Sequence, residues 1–205
     1  MKDCNNLSVD DGHTLVKTAR KVVTEYLKNN EKPKLENEFK DNFSFKSGVF
    51  VTLNNDLGLR GCIGYPLPDK SLFNALEDAA ISAATEDPRF FPVKYEELNS
   101  ITFEVTVLTP PKKIIVNHPK EYLSKIKVGR DGLIVKKGFY SGLLLPQVPL
   151  EYGWNEEEFL EYTCQKAGLS KNEWKNLDTE IQKFEGVVFK EEYPNGPVIK
   201  EVLED

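Results

Sequence analysis

The chain has 205 residues, 40% of them hydrophobic, and carries 27 lysines and arginines against 33 aspartates and glutamates, a formal net charge of -6. That is enough chain for one substantial core or two small units sharing one, and the acidic balance, with no extended basic stripe, argues against a nucleic-acid footprint while leaving room for a local patch. The three cysteines cannot complete a disulfide framework, and no apolar run approaches the roughly 20 residues that span a bilayer. The opening Met1-Lys2-Asp3-Cys4-Asn5-Asn6 lacks the apolar core of a signal peptide, so a reducing, cytoplasmic setting is the expectation.

Leu15, Val16, Ala19, Val22, Val23, Tyr26 and Leu27 recur at three- and four-residue intervals and predict an amphipathic helix from about Thr14 to Leu27. The polar stretch from Asn29 to Glu38 reads as a surface connection. Phe45 to Leu53 is β-branched and aromatic, Asn54-Asn55-Asp56-Leu57-Gly58 supplies turn chemistry, and a second strand begins at Leu59, so a hairpin is expected. Ser71 to about Thr85 reads as a helix that ends before Asp87-Pro88, because the residue preceding a proline disfavours helical geometry. Ile101 to Leu108 is a further strand, stopped by Pro110-Pro111.

The second half echoes the first. Gly58 and Pro66 have counterparts in Gly138 and Pro146, and Phe103-Glu104 with Val107 matches Phe184-Glu185 with Val188. Between them, Trp154 to Ala167 has helical spacing and Gly168 is a stop; Ser170-Lys171-Asn172-Glu173 matches a capping box and predicts a short helix through Trp174. The expectation is one domain over residues 1–205, with an internal repeat at roughly 45–111 and 128–194 forming two strand-helix-strand units of an antiparallel sheet.

The hexapeptide Leu59-Arg60-Gly61-Cys62-Ile63-Gly64 carries the candidate chemistry. In an extended strand Arg60, Cys62 and Gly64 share one face, and Leu59, Gly61 and Ile63 the other. A guanidinium beside a thiol favours the thiolate, which makes Cys62 a candidate nucleophile and Arg60 its activator or an anion clamp. Against this stands the reading of Cys62 as a small core residue, with Cys4 as a terminal thiol and Cys164 as packing. Gly61 and Gly64 could let a phosphate or carboxylate approach the backbone, or could serve only a turn and a close crossing. Asp87 and Arg89 flank a rigid Pro88 and either pair with one another or aim Arg89 at the cleft. Glu104 alternates onto a polar face with Thr102 and Thr106, where it either pairs with Arg60 or acts as an orienting carboxylate or general base. Gln147, between Pro146 and Pro149, is a loop candidate for substrate hydrogen bonding. His13 and His118 fall in turn-like contexts without ligand spacing to a cysteine, so neither a metal nor another cofactor is expected.

Leu59 to Gly64, Asp87-Pro88-Arg89-Phe90 and Leu144-Leu145-Pro146-Gln147-Val148 resemble signatures of the AMMECR-one domain family. The similarity extends over nearly the whole chain through Glu104 to Pro111, Gly132-Leu133-Ile134, Gly153-Trp154 and Lys166 to Leu169, in order. One departure is Phe91, where the family motif usually has proline. The resemblance implies an α+β fold with a barrel-like, mostly antiparallel sheet built from two related units and flanked by helices. It names no substrate, and it implies Memo-like and radical SAM proteins as pathway partners. Two functions remain open: an enzyme binding a small anionic ligand with Cys62, Arg60, Arg89, Glu104 and Gln147 lining its cleft, or a non-catalytic adaptor that captures a partner's peptide on the glycine-rich strand.

Overall fold

The computed structural model describes residues 4–201, so the first residues of the segment read for a leader lie outside it. The chain divides into two compact units, one containing residues 4–109 and 187–201, the other Pro110–Gly186.

In the first unit, α1 (Val9–Asn29) begins ahead of the Thr14 start that its apolar periodicity predicts. Ser8 accepts from the Asp11 N–H and the Asp11 carboxylate reaches back to the Ser8 N–H, a capping box that starts the helix in polar sequence. His13 is therefore helical, not in a turn. The surface connection runs into a short helix, α2 (Asn37–Asn42), where Leu35 and Phe39 bury their side chains. β1 (Gly48–Asn55) and β2 (Gly58–Tyr65) form the expected hairpin, with Gly58 at a φ of 105° that an L side chain rarely adopts. After α3 (Leu72–Thr85) the chain returns as β3 (Thr102–Leu108), antiparallel to β1.

Alternation divides this sheet into two faces. Val49, Val51 and Leu53 of β1 and Phe103, Val105 and Val107 of β3 are wholly buried in one core with Leu15, Val16 and Ala19 of α1 and Leu76, Ala79 and Ala80 of α3. Phe50, Thr52 and Asn54 of β1, with Thr102, Glu104 and Thr106 of β3, point the other way.

The second unit contains β4 (Lys112–Lys113), α4 (Tyr122–Lys125), β5 (Asp131–Lys137), β6 (Tyr140–Leu144), α5 (Gln147–Tyr152) and α6 (Glu156–Lys166). β7 (Glu180–Glu191) starts here, pairing antiparallel with β4 and β5; its carboxyl-terminal end belongs to the first unit, where it pairs with β8 (Val198–Glu201). Leu133, Val135, Phe159, Leu160, Trp174 and Ile181 form the core. Cys164 packs there fully buried, its thiol pushed up to about 11 by burial, as its packing role requires. In both units a hairpin leads through helix and a 3-10 turn to a strand antiparallel to the first, with the two helices α5 and α6 in the second unit where the first has α3 alone. Each hairpin also brings a glycine against the end of its helix. A Cβ on Gly61 would lie 2.1 Å from the Ala83 carbonyl oxygen, and one on Gly142 would lie 2.3 Å from the Ala167 nitrogen.

Candidate functional site

β2 holds an irregularity that decides the site. Asn54 pairs with Leu59, but Leu53 pairs with Gly61, so Arg60 is an extra residue bulged out of the ladder. Alternation counted through Leu59 and Arg60 therefore fails. Beyond the bulge Thr52 faces Cys62, and before it Asn54 faces Leu59, which puts Leu59 on the Cys62 face instead of the apolar one.

Arg60 turns away from Cys62. Its Nε and Nη2 donate to Glu97 at 2.9 and 3.1 Å, and its Nη1 donates to the Phe91 carbonyl at 2.9 Å. The guanidinium expected to activate the thiol is thus engaged by Glu97 and by the backbone after Arg89. Glu97, in turn, is the partner expected to be Glu104; hydrogen bonds from Arg60 hold the Glu97 carboxyl below its ordinary range.

Cys62 is instead held by Asp87 and Arg89. Asp87 is 5% exposed and accepts from the Cys62 N–H at 2.8 Å, from the Arg89 N–H at 3.0 Å and from Arg89 Nε and Nη2 at 2.9 and 2.7 Å. Arg89 Nη2 also reaches the Cys62 carbonyl at 3.4 Å. Carboxylate and guanidinium together supply an acceptor and a donor to the outer side of β2, as a neighbouring strand would. The Asp87 carboxyl sits far below the usual carboxylate range, first because of the Arg89 hydrogen bonds and despite its burial.

The Cys62 thiol is half-buried and accepts from Thr52 Oγ1 at 3.2 Å. Burial pushes its pKa up; Thr52 and Arg89 pull it down but do not prevail, and the Glu104 and Asp87 charges add to the rise. Burial thus works against the thiolate, and Arg60 does not supply the stabilisation expected of it. Glu104 faces Thr52 from β3, so Cys62, Thr52 and Glu104 form one row across three strands. Burial, then the charge of Glu201, raises the Glu104 pKa, with Lys190 opposing.

The two glycines expected to admit a ligand are filled by the protein. Gly61 is buried against α3, and a Cβ on Gly64 would meet the Phe50 ring at 2.4 Å. Gln147 lies in the second unit, exposed at the start of α5, where Pro146 leads a helix instead of interrupting a loop. Cys4, the thiol near the terminus, is 2% exposed and packs in the first-unit core. Beside the row, Arg60, Pro88, Arg89, Phe90 and Phe91 line a groove of about 380 Å³. Thr52 and Glu97 were not apparent in the sequence: hairpin counting without the bulge sets Thr52 opposite Gly61, and nothing local links Glu97 to Arg60.

Fold and site define a class: an α+β protein whose helix-backed antiparallel sheet presents a thiol, a hydroxyl and a carboxylate in one row beside a guanidinium-lined groove. The chain belongs to the AMMECR1 family, whose signature matches residues 16–189. It is 52% identical over 199 residues to Protein MJ0810 of Methanocaldococcus jannaschii, covering 96% of this chain and 98% of that one. It is 53% identical over 197 residues to a protein of Thermococcus gammatolerans, covering 94% and 96%. The crystal structure of uncharacterized protein PH0010 from Pyrococcus horikoshii superposes with a TM-score of 0.83 at 51% identity, over 94% of this chain and 97% of that one. Among the described residues, no helix is long and apolar enough to cross a membrane.

Proposed function

We propose that the first unit is a thiol-dependent enzyme site for a small anionic substrate. The observation that carries this reading is the row of Cys62, Thr52 and Glu104, in which a hydroxyl stands between a nucleophile and a carboxylate of raised proton affinity. In the proposed step Cys62 Sγ adds to an electrophilic carbonyl carbon of the substrate, the C=O π bond breaks and its electron pair moves to the oxygen, and the thiol proton passes to Glu104 once the Thr52 hydroxyl, which donates to Sγ at rest, turns to accept it. Arg89, already anchored by Asp87 and 54% exposed, meets the negative charge of the substrate at the groove. Arg60 shapes the groove wall through its hold on Phe91 and Pro92. A thiol whose proton is held more tightly by burial suits this scheme, because a base is then needed to remove it.

Native mass spectrometry of the purified chain tests it. A co-purifying small anion lost in Arg89→Ala, together with a covalent adduct absent in Cys62→Ala, is the expected result. A Cys62 that resists iodoacetamide until the protein unfolds would sink the nucleophile and leave the row structural.

The second reading, a partner-recognition module, is favoured by one observation: Phe91 is 91% exposed at the groove. The side-chain cover over the Cys62 backbone argues against strand addition at that point, so the groove itself would receive the peptide. Memo-like and radical SAM proteins are the partners to try first, with pull-down by the chain and by Phe91→Ala as the comparison.

A further inference from the structure

The second unit carries a concentration of positive charge that the thiol site does not use. β4 is only two residues long and both are lysines, and its register on β7 sets Lys112 directly opposite Lys183. Like charges directly opposite on paired strands are destabilising. Lys112, Lys113, Lys125, Arg130 and Lys183 line one groove of about 640 Å³, together with Ile114, Ile115 and Ser124 and without an acidic side chain.

Two of these cations are aimed by a buried anion. Asp131 is wholly buried and accepts from Arg130 Nε and Nη2, both at 2.9 Å, from Lys183 Nζ at 3.1 Å and from the Lys127 N–H at 3.0 Å. Main-chain carbonyls hold the rest of the wall: Lys183 Nζ donates to the Lys125 oxygen at 2.8 Å, and Lys125 Nζ donates to the Ile115 oxygen at 2.6 Å. Other counter-charges are more distant, with Lys113 to Glu180 at 3.6 Å, Arg130 to Glu185 at 3.7 Å and Lys125 to Glu121 at 3.9 Å. Lys112 has no ion pair among the described residues. One carboxylate thus preorganises two cations, and Lys112, Lys113 and Lys125 line the same groove with them.

We infer that this groove binds a small phosphate-bearing ligand, with Lys112, Lys125 and Lys183 on its phosphate oxygens and Asp131 holding Arg130 and Lys183 in place. Its volume falls in the range of small-molecule pockets, roughly 300 to 1,000 Å³, and point-charge lysines suit a polyanion better than a single carboxylate. A multivalent anion would then add to Asp131 as a counter-charge for Lys112 and Lys183, which face one another across β4 and β7.

Calorimetric titration of the full-length protein with pyrophosphate at low salt tests the inference. One saturable site is expected, weakened about tenfold by Lys112→Ala and by Lys125→Ala, and unchanged by Arg89→Ala in the first unit. Lys112→Ala should at the same time melt no lower than wild type without ligand, since it removes a like-charge pair; a lysine with a merely structural role would leave affinity untouched. The inference is overturned if pyrophosphate does not saturate, which leaves the lysines as guards of an exposed sheet edge. It is equally overturned if Arg89→Ala rather than Lys112→Ala abolishes binding, or if a single-stranded oligonucleotide binds where pyrophosphate does not.

Discussion

At the scale of single residues, Cys62 shows how a neighbour's preference for another partner changes a group's chemistry. Arg60 and Cys62 are two apart in sequence, yet Glu97 takes the guanidinium, and burial then prevails over Thr52 and Arg89 in raising the thiol pKa. Thr52→Val removes a hydrogen bond that favours the thiolate, so it should raise the thiol pKa further and slow alkylation of Cys62 several-fold at a fixed, mildly alkaline pH. Rates read against pH by mass spectrometry check this, with Cys62→Ala as the blank because Cys4 and Cys164 are both buried. Asp87 gives a second prediction. Its pKa in the folded chain lies below the unfolded value of about 3.9, so its contribution is complete above that value and is lost as pH falls towards the folded one. Asp87→Asn should therefore lower the melting temperature at neutral pH, and its deficit against wild type should shrink as pH falls below about 4.

At the scale of elements, close approach of backbone to backbone sets what each hairpin tolerates. Gly61 has no need of a positive φ; its constraint is steric, since an added Cβ would sit 2.1 Å from the Ala83 carbonyl oxygen. Gly61→Ala should cost about 1–3 kcal/mol by pushing β2 off α3, read as a lower urea midpoint at unchanged slope. It should also displace Cys62, the adjacent residue. Gly58→Ala meets no atom but strains the backbone at its φ of 105°, so its penalty should be smaller and should leave Cys62 alkylation unaltered. The bulge at Arg60 belongs to this scale too: one inserted residue turns a sequence-adjacent pair into two separate sites, one at Glu97 and one at Asp87.

At the scale of the whole molecule, the first unit is assembled from both ends of the described chain. Arg20 of α1, buried, donates to Glu191 of β7 at 2.8 Å through Nε and at 2.5 Å through Nη2, and also to the Leu98 and Ile101 carbonyls. Glu191, with no side-chain exposure, also accepts from the Phe103 N–H at 3.1 Å and from Lys17 at 3.3 Å. Removing one partner of a buried pair leaves the other uncompensated, so Glu191→Ala should destabilise by about 3–5 kcal/mol in urea denaturation. Both tryptophans lie in the second unit, so fluorescence reports that unit directly, and circular dichroism must be followed beside it. Ending the chain at Gly186 removes the β7 end and β8, and should cost the first unit its α1 anchor even though the residues of the thiol site are all present.

The sequence by itself determined the elements with strong period, namely the first hairpin, the helices at Leu72–Thr85 and Glu156–Lys166 and the strand at Thr102–Leu108, because apolar spacing and turn chemistry act locally. It offered the pairing of Asp87 with Arg89 as one of two readings, and the structure shows that pair across Pro88. It did not reach the start of α1, where a capping box works without apolar residues, or α2, which two buried side chains sustain. Only the tertiary structure decided the partners of Arg60, the row of Thr52 and Glu104 beside Cys62, and the cation-lined groove around Asp131. Each of these depends on register and burial, which are fixed by contacts between residues far apart in the chain, and a bulge of one residue or the packing of a glycine on a distant carbonyl leaves little trace in local pattern.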